Sequence, residues 1–111
     1  MTYIYCVDLS GYCLSMSRCP DATLVEVMVV DQRVHQTADV HATLHVDKLV
    51  VSLSPTAAAA LDGVVEYLVL FSPDQDELRQ LDAALAAIFA AAGRYDGRFR
   101  MVKESKRYSK D

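Results

Sequence analysis

Tryptophan is absent from this chain, and glycine, proline and cysteine are sparse, with four, three and three residues among 111. Each scarcity removes a class of function. With so few glycines there is no Gly-rich loop, no G-x-x-x-x-G-K and no G-x-G-x-x-G, so a phosphate cradle has little to be made from. A G-x-S-x-G elbow is missing too. Cys6, Cys13 and Cys19 form an odd set without C-x-x-C spacing, which argues against a zinc site built from them and suits reduced thiols in a cell interior. Long apolar runs are also lacking: Ala83 to Ala92 is too short to span a bilayer, and the opening MTYIYCVDLSG has neither the basic start nor the apolar stretch of a secretory signal. The expectation is a soluble, cytoplasmic protein without a membrane partner.

What the chain does have is charge of two signs in two places. Residues 1–93 carry 4 Lys/Arg against 12 Asp/Glu, net −8, while residues 94–111 carry 7 against 3, net +4, giving the overall −4. An acidic body sets up a field that steers basic macromolecules toward it. The basic extension, 94–111, could instead fold back on the body or meet another acidic surface. Hydrophobic residues make up 52%, enough for the chain to bury a core without metal or disulfides, and a single domain over 1–111 is expected.

Strands come first along the chain. Thr2 to Asp8 and Tyr12 to Ser17 flank Leu9-Ser10-Gly11, which reads as a hairpin turn because glycine tolerates positive φ. Thr23 to Asp31 follows as a β-branched run with Val25, Val27 and Val29 on one face. Residues 39–46 alternate, with Val40, Ala42, Leu44 and Val46 on one side and Asp39, His41, Thr43 and His45 on the other. Asp47-Lys48 then turns the chain into Leu49 to Leu53.

Two helices follow similar rules. Ser54-Pro55 supplies a hydroxyl cap and a proline at the first helical position, and Gly63 closes this short segment. Val64 to Phe71 is an apolar run that reads as a central strand covered on both faces. Ser72-Pro73 repeats the cap, with Gln75 at the capping-box position and Asp74, Asp76 and Glu77 favoured by the helix dipole. Leu78, Leu81, Leu85, Ile88 and Ala92 recur at helical spacing, Phe89 widens the stripe, and Gly93 is the expected C-cap, giving a helix about 30 Å long. Arg98 to Val102 alternates as an edge strand. The fold expected is α+β: a curved, mainly antiparallel sheet of about six or seven strands, one long C-terminal helix packed on one face, and one short helix.

The candidate chemistry is thin. Asp39 and His41 could clasp a metal, but His41 and His45 are about 13 Å apart on an extended strand, beyond joint reach of one ion, so no metal and no cofactor are expected. An acidic first helical turn at Asp74, Asp76 and Glu77 is what the dipole favours in any helix. No signature pairs a cysteine nucleophile with a histidine base, and no enzyme activity is expected. The basic residues of the tail, interleaved with Tyr95, Phe99 and Tyr108, have a composition that can contact nucleic acid, yet the acidic body would repel phosphate, which argues against such a partner.

The run from Leu44 to Phe89, LHVDKLVVSLSPTAAAALDGVVEYLVLFSPDQDELRQLDAALAAIF, resembles the C-terminal half of the family-ten immunity proteins of bacterial polymorphic toxin systems. The matching elements are a strand ending in V-S-L, a short proline-started helix closing in L-D-G, an apolar strand, and an acidic start to an L-x-x-L-x-x-x-L-x-x-I-F helix. EVMVVDQ, Glu26 to Gln32, resembles an upstream strand and polar turn of that family, although the segment before it is shorter here. The basic tail after Gly93 has no counterpart. The resemblance implies a small cytoplasmic binder that neutralises a cognate protein toxin. An acidic inhibitor suits a basic toxin domain, because opposite charges speed encounter.

Partner-binding candidates are Asp31, Asp39, His41, His45 and Asp47, the polar side of the alternating strand and its ends. The acidic helix start, Asp74, Asp76 and Glu77, is the alternative. Two other classes stay open. One is a homodimeric small-molecule-binding or regulatory module, which predicts an enclosed apolar pocket. The other is a small enzyme joining Cys6 or Cys13 to a histidine in a cleft.

Overall fold

The computed structural model describes residues 2–29 and 33–99. Their elements run β1 (Thr2–Val7), β2 (Cys13–Arg18), β3 (Val25–Val29), β4 (Arg33–Thr37), β5 (Val40–His45), β6 (Lys48–Leu53), α1 (Pro55–Ala59), β7 (Glu66–Leu70), α2 (Gln75–Ile88) and β8 (Arg94–Arg98). The strands are arranged not as one sheet of six or seven but as two four-stranded sheets, ordered β1-β2-β3-β4 and β7-β6-β5-β8. Every pairing is antiparallel except the parallel one between β5 and β8. The mixed α+β class holds; the single sheet does not. Helix α2 packs against β1 and β2 of the first sheet, and the buried residues of both sheets join one hydrophobic cluster.

Local chemistry explains the hairpins. In the β1–β2 turn, Asp8 Oδ1 accepts hydrogen bonds from Ser10 N (2.9 Å), Ser10 Oγ (2.7 Å) and Tyr12 N (2.9 Å). Gly11 takes φ +91° there, a conformation costly for a residue with a Cβ. On β3, Val25, Val27 and Val29 are fully buried, as their spacing predicts. Val40, Ala42 and Leu44 of β5 are buried likewise, but Val46 lies past the strand end and is exposed.

Strand β4 has no counterpart in the sequence-based expectation, and it places His35 in the first sheet, apart from His41 and His45 in the second. The apolar run at 64–71 is not a central strand: β7 is the edge of its sheet, with Tyr67 buried and Leu68 and Leu70 exposed. The last described strand begins at Arg94, so the basic extension opens inside the second sheet. Residues 100–102 of the expected edge strand lie outside the described residues.

Both helix starts are capped by side chains. Ser54 Oγ accepts from Ala57 N (3.1 Å) with Pro55 in the first turn, as expected. In α2 the N-cap is Asp74 rather than Ser72: Asp74 Oδ1 accepts from Glu77 N (2.8 Å), and Glu77 Oε1 accepts from Asp74 N (3.0 Å). This reciprocal box supersedes the pairing expected of Ser72 and Gln75. The helix has 14 residues, about 21 Å at 1.5 Å per residue. It is thus shorter than the expected 30 Å and is followed by β8, so it is not the C-terminal element of the chain. Phe89, not Gly93, is its C-cap, and Gly93 serves a later turn at φ +75°. A Cβ there would sit 2.8 Å from the Phe89 ring and 3.0 Å from the Val40 carbonyl oxygen.

One hydrophobic cluster draws on both sheets and both helices, with Met16, Val27, Leu44, Val51, Ala57, Leu85 and Ile88 among its members. Arg18, on the inward side of β2, reaches the C-terminal end of α2 and binds its carbonyls. No helix among the described residues is long and apolar enough to cross a membrane.

Candidate functional site

The free edges of β1 and β7 face a common groove. Each strand ends its sheet, so among the described residues each has one side without a strand partner. Between them lie two adjoining hollows of about 670 and 330 Å³, both lined by Cys6, Val7, Val69 and Leu70. The floor is core: Ile4 and Leu49 under the larger hollow, Leu14 under the smaller. Helix α2 walls the larger with Glu77, Gln80, Leu81 and Ala84.

Both banks are apolar and wet. Val7 is 57% exposed on the β1 side and Leu70 is 71% exposed on the β7 side. Tyr5 and Leu68 extend the same surface. Single exposed apolar residues are ordinary, but a set lining one groove makes it a candidate binding surface. Among the described residues, the charged side chains lining it are the carboxylates of Asp8 and Glu77, with no lysine, arginine or histidine beside them. Asp47 stands by the same end, since its carbonyl accepts from Phe71 N (3.1 Å) and Phe71 lines the groove.

A carboxylate and two phenols close the far end. Tyr67 Oη donates to Asp62 Oδ1 (2.6 Å), Tyr12 Oη donates to Asp62 Oδ2, and the two hydroxyl oxygens are 3.1 Å apart. Burial opposes charge on Asp62, but the two hydroxyls win and hold its carboxyl below the usual range. Burial, then the carboxylate, pushes both tyrosines up. With its oxygens engaged by these phenols, Asp62 acts as a clasp that ties the first sheet to β7 and to the turn after α1. Cys6, in the groove wall, has its thiol pushed up by burial, which disfavours the nucleophilic thiolate.

The sequence-predicted candidates fall in different places. His41, Thr43 and His45 share the open side of β5, as alternation predicts. Their neighbours across the β5–β8 ladder are Arg94, Asp96 and Arg98, so this face is mixed in charge rather than acidic. His41 Nε2 lies 2.8 Å from Asp96 Oδ2, and Arg94 Nε lies 3.2 Å from the same oxygen. The His41 hydrogen bond, aided by Arg94, lowers the Asp96 carboxyl. Asp39 and Asp47 flank opposite ends of β5, eight residues or about 26 Å apart, so one compact contact cannot use both as a pair. A shallower hollow of about 460 Å³ touches Asp39, His41 and Arg94. Asp31 lies outside the described residues.

The structure instead brings Asp47 to the end of the groove where the alternative candidates stand. Glu77 lines that groove, Asp74 caps α2, and Asp76 pairs with Arg79. Sequence reasoning missed Val7, Leu70 and the groove itself. Their signal was the apolar surplus of VVEYLVLF, read as double burial when it is partly an exposed edge. Among the described residues no three His, Cys, Asp or Glu side chains gather as a metal site would require. Comparisons with protein-family models, curated proteins and solved structures find no match for this chain.

Proposed function

We propose that the protein is a non-catalytic, cytoplasmic inhibitor of the immunity type, which binds a cognate basic toxin domain and neutralises it. The observation that carries this reading is the free charge of the body. The described residues hold 12 carboxylates and 6 Lys/Arg side chains. Four of those six are already engaged: Arg18 by carbonyls at the end of α2, Arg33 by the Leu61 carbonyl, Arg79 by Asp76 and Arg94 by Asp96. The two ion pairs also take up one carboxylate each, so ten carboxylates stand against four Lys/Arg among the described residues, and an acidic surface of this kind accelerates capture of a basic protein. The resemblance of Leu44 to Phe89 to family-ten immunity proteins points the same way.

Co-expression with the product of the adjacent gene tests the proposal. A toxin domain there, lethal alone, should be rendered harmless and co-purify in a stoichiometric complex. An unrelated metabolic neighbour that forms no complex would overturn it. The alternative, a homodimeric small-molecule-binding module, calls for an enclosed pocket, and the hollow between β1 and β7 is instead an open groove.

A further inference from the structure

We infer that the groove between β1 and β7 receives an extended segment of the basic partner, which pairs with the free edge of β7 and alternates apolar with Lys or Arg side chains. This inference rests on the proposed function and names its contact surface. An unpaired strand edge offers a row of N–H and C=O groups that another chain can complete. β7 provides five residues, Glu66–Leu70, room for a segment of about 17 Å at 3.3 Å per residue.

The pleat selects the occupant. Successive side chains of an added strand point to opposite sides, so one set would meet the apolar floor beside Tyr67 and Val69, the inward residues of β7. The other set would face the rim. There the charged lining residues among those described are the carboxylates of Asp8 and Glu77, and Glu66 is exposed on the same side of β7 as Leu68 and Leu70. An acidic segment is repelled at the rim, and a uniformly polar one leaves the apolar floor uncovered. Natural proteins commonly protect edges with lysine or proline. No lysine or proline occurs in β7, whose sequence is EYLVL.

The test uses the full chain and a fluorescein-labelled peptide of alternating lysine and valine, about eight residues long, with its glutamate–valine counterpart and a twin N-methylated at alternate amides. Anisotropy at low salt should show saturable binding of the lysine peptide, roughly tenfold tighter than the glutamate peptide, with the N-methylated twin losing binding. Leu70→Lys, at an exposed position, and Glu77→Gln, which keeps the capping box, should each weaken binding, whereas the neutral change Val34→Ala, at an exposed position on β4, should not. Hydrogen exchange at Glu66–Leu70 should slow in the complex. Equal binding of the N-methylated twin, or absence of saturable binding, would overturn the inference. The peptide assay needs no toxin, so it separates the two claims. A toxin complex that leaves β7 exchange unchanged sinks the groove alone; peptide binding without a toxin complex sinks the immunity reading alone.

Discussion

The guanidinium of Arg18 on β2 donates to the carbonyl of Ala87 through Nη2 at 2.8 Å and Nε at 3.2 Å, and Nε also reaches the Ile88 carbonyl at 3.1 Å. It thereby places a cation at the negative end of α2 and adds charged donors to the carbonyls of its last turn. Arg18→Met should cost about 1.5–3 kcal/mol, the range for hydrogen bonds to a charged group. Arg18→Lys should recover only part of that, since an ammonium lacks the planar fork. Urea unfolding of the two variants measures both; a methionine variant as stable as the parent would show that the contact contributes nothing.

The clasp of Tyr12, Tyr67 and Asp62 makes stability depend on pH at both extremes. Asp62 has a lowered carboxyl pKa in the fold, so its contribution is present above the unfolded value of about 3.9 and is lost as pH falls through the folded one. Tyr67 is the reverse. Its hydroxyl is pushed up by burial and by Asp62, so its contribution is present below the unfolded value of about 10 and is lost as pH rises through the folded one. Thermal melts across pH should fall off below about 4 and above about 10. Tyr67→Phe should flatten the alkaline limb, and an unchanged limb would place the sensitivity elsewhere, with Tyr95, raised by burial and Asp82, the next residue to test.

Within α2 the three apolar positions are not equivalent. Leu85 and Ile88 are fully buried, while Leu81 is only partly buried and lines the groove. Leu85→Ala and Ile88→Ala should each cost about 2–5 kcal/mol through lost burial and a residual cavity. Leu81→Ala should cost less and should weaken partner binding instead. Equal losses at all three positions, read from urea midpoints, would contradict this division.

Replacing Cys6, Cys13 and Cys19 together by alanine should leave most of the partner binding in place, because Cys13 and Cys19 do not line the groove and Cys6 supplies only a small part of its wall. The one structural loss expected is at Cys6, which packs in the groove wall. A folded triple variant without binding would revive a thiol-based activity.

Much of the local structure was legible in the residues, and little of the long-range pairing was. Alternation in β3 and β5, the Asp8–Gly11 turn and the Ser54-Pro55 cap are set by neighbours a few residues away. The cap of α2 was misplaced because Ser72 and Asp74 are both competent N-caps two residues apart, and only the reciprocal bond with Glu77 decides between them. Strand β4 escaped because RVHQT lacks an apolar stripe: only Thr37 is buried. The parallel β5–β8 pairing joins residues some fifty positions apart, and no local pattern encodes it. That pairing places Arg94 and Arg98 beside His41 and His45, which is why the face expected to be acidic is mixed. The groove was hidden for a related reason: an apolar run looks the same whether it is covered on both faces or lies at an edge.

Capture of a basic protein by an acidic body is tested most directly by the association rate with the cognate toxin domain. Stopped-flow mixing over a range of salt concentrations should give a rate constant near about 10⁸ M⁻¹ s⁻¹ at low salt that falls steeply as salt rises. The double reversal Asp39→Lys and Asp47→Lys should slow it and reduce the salt dependence, through loss of long-range attraction, without changing thermal stability much. A wild-type rate that stays near about 10⁵–10⁶ M⁻¹ s⁻¹ at every salt concentration would contradict electrostatic capture.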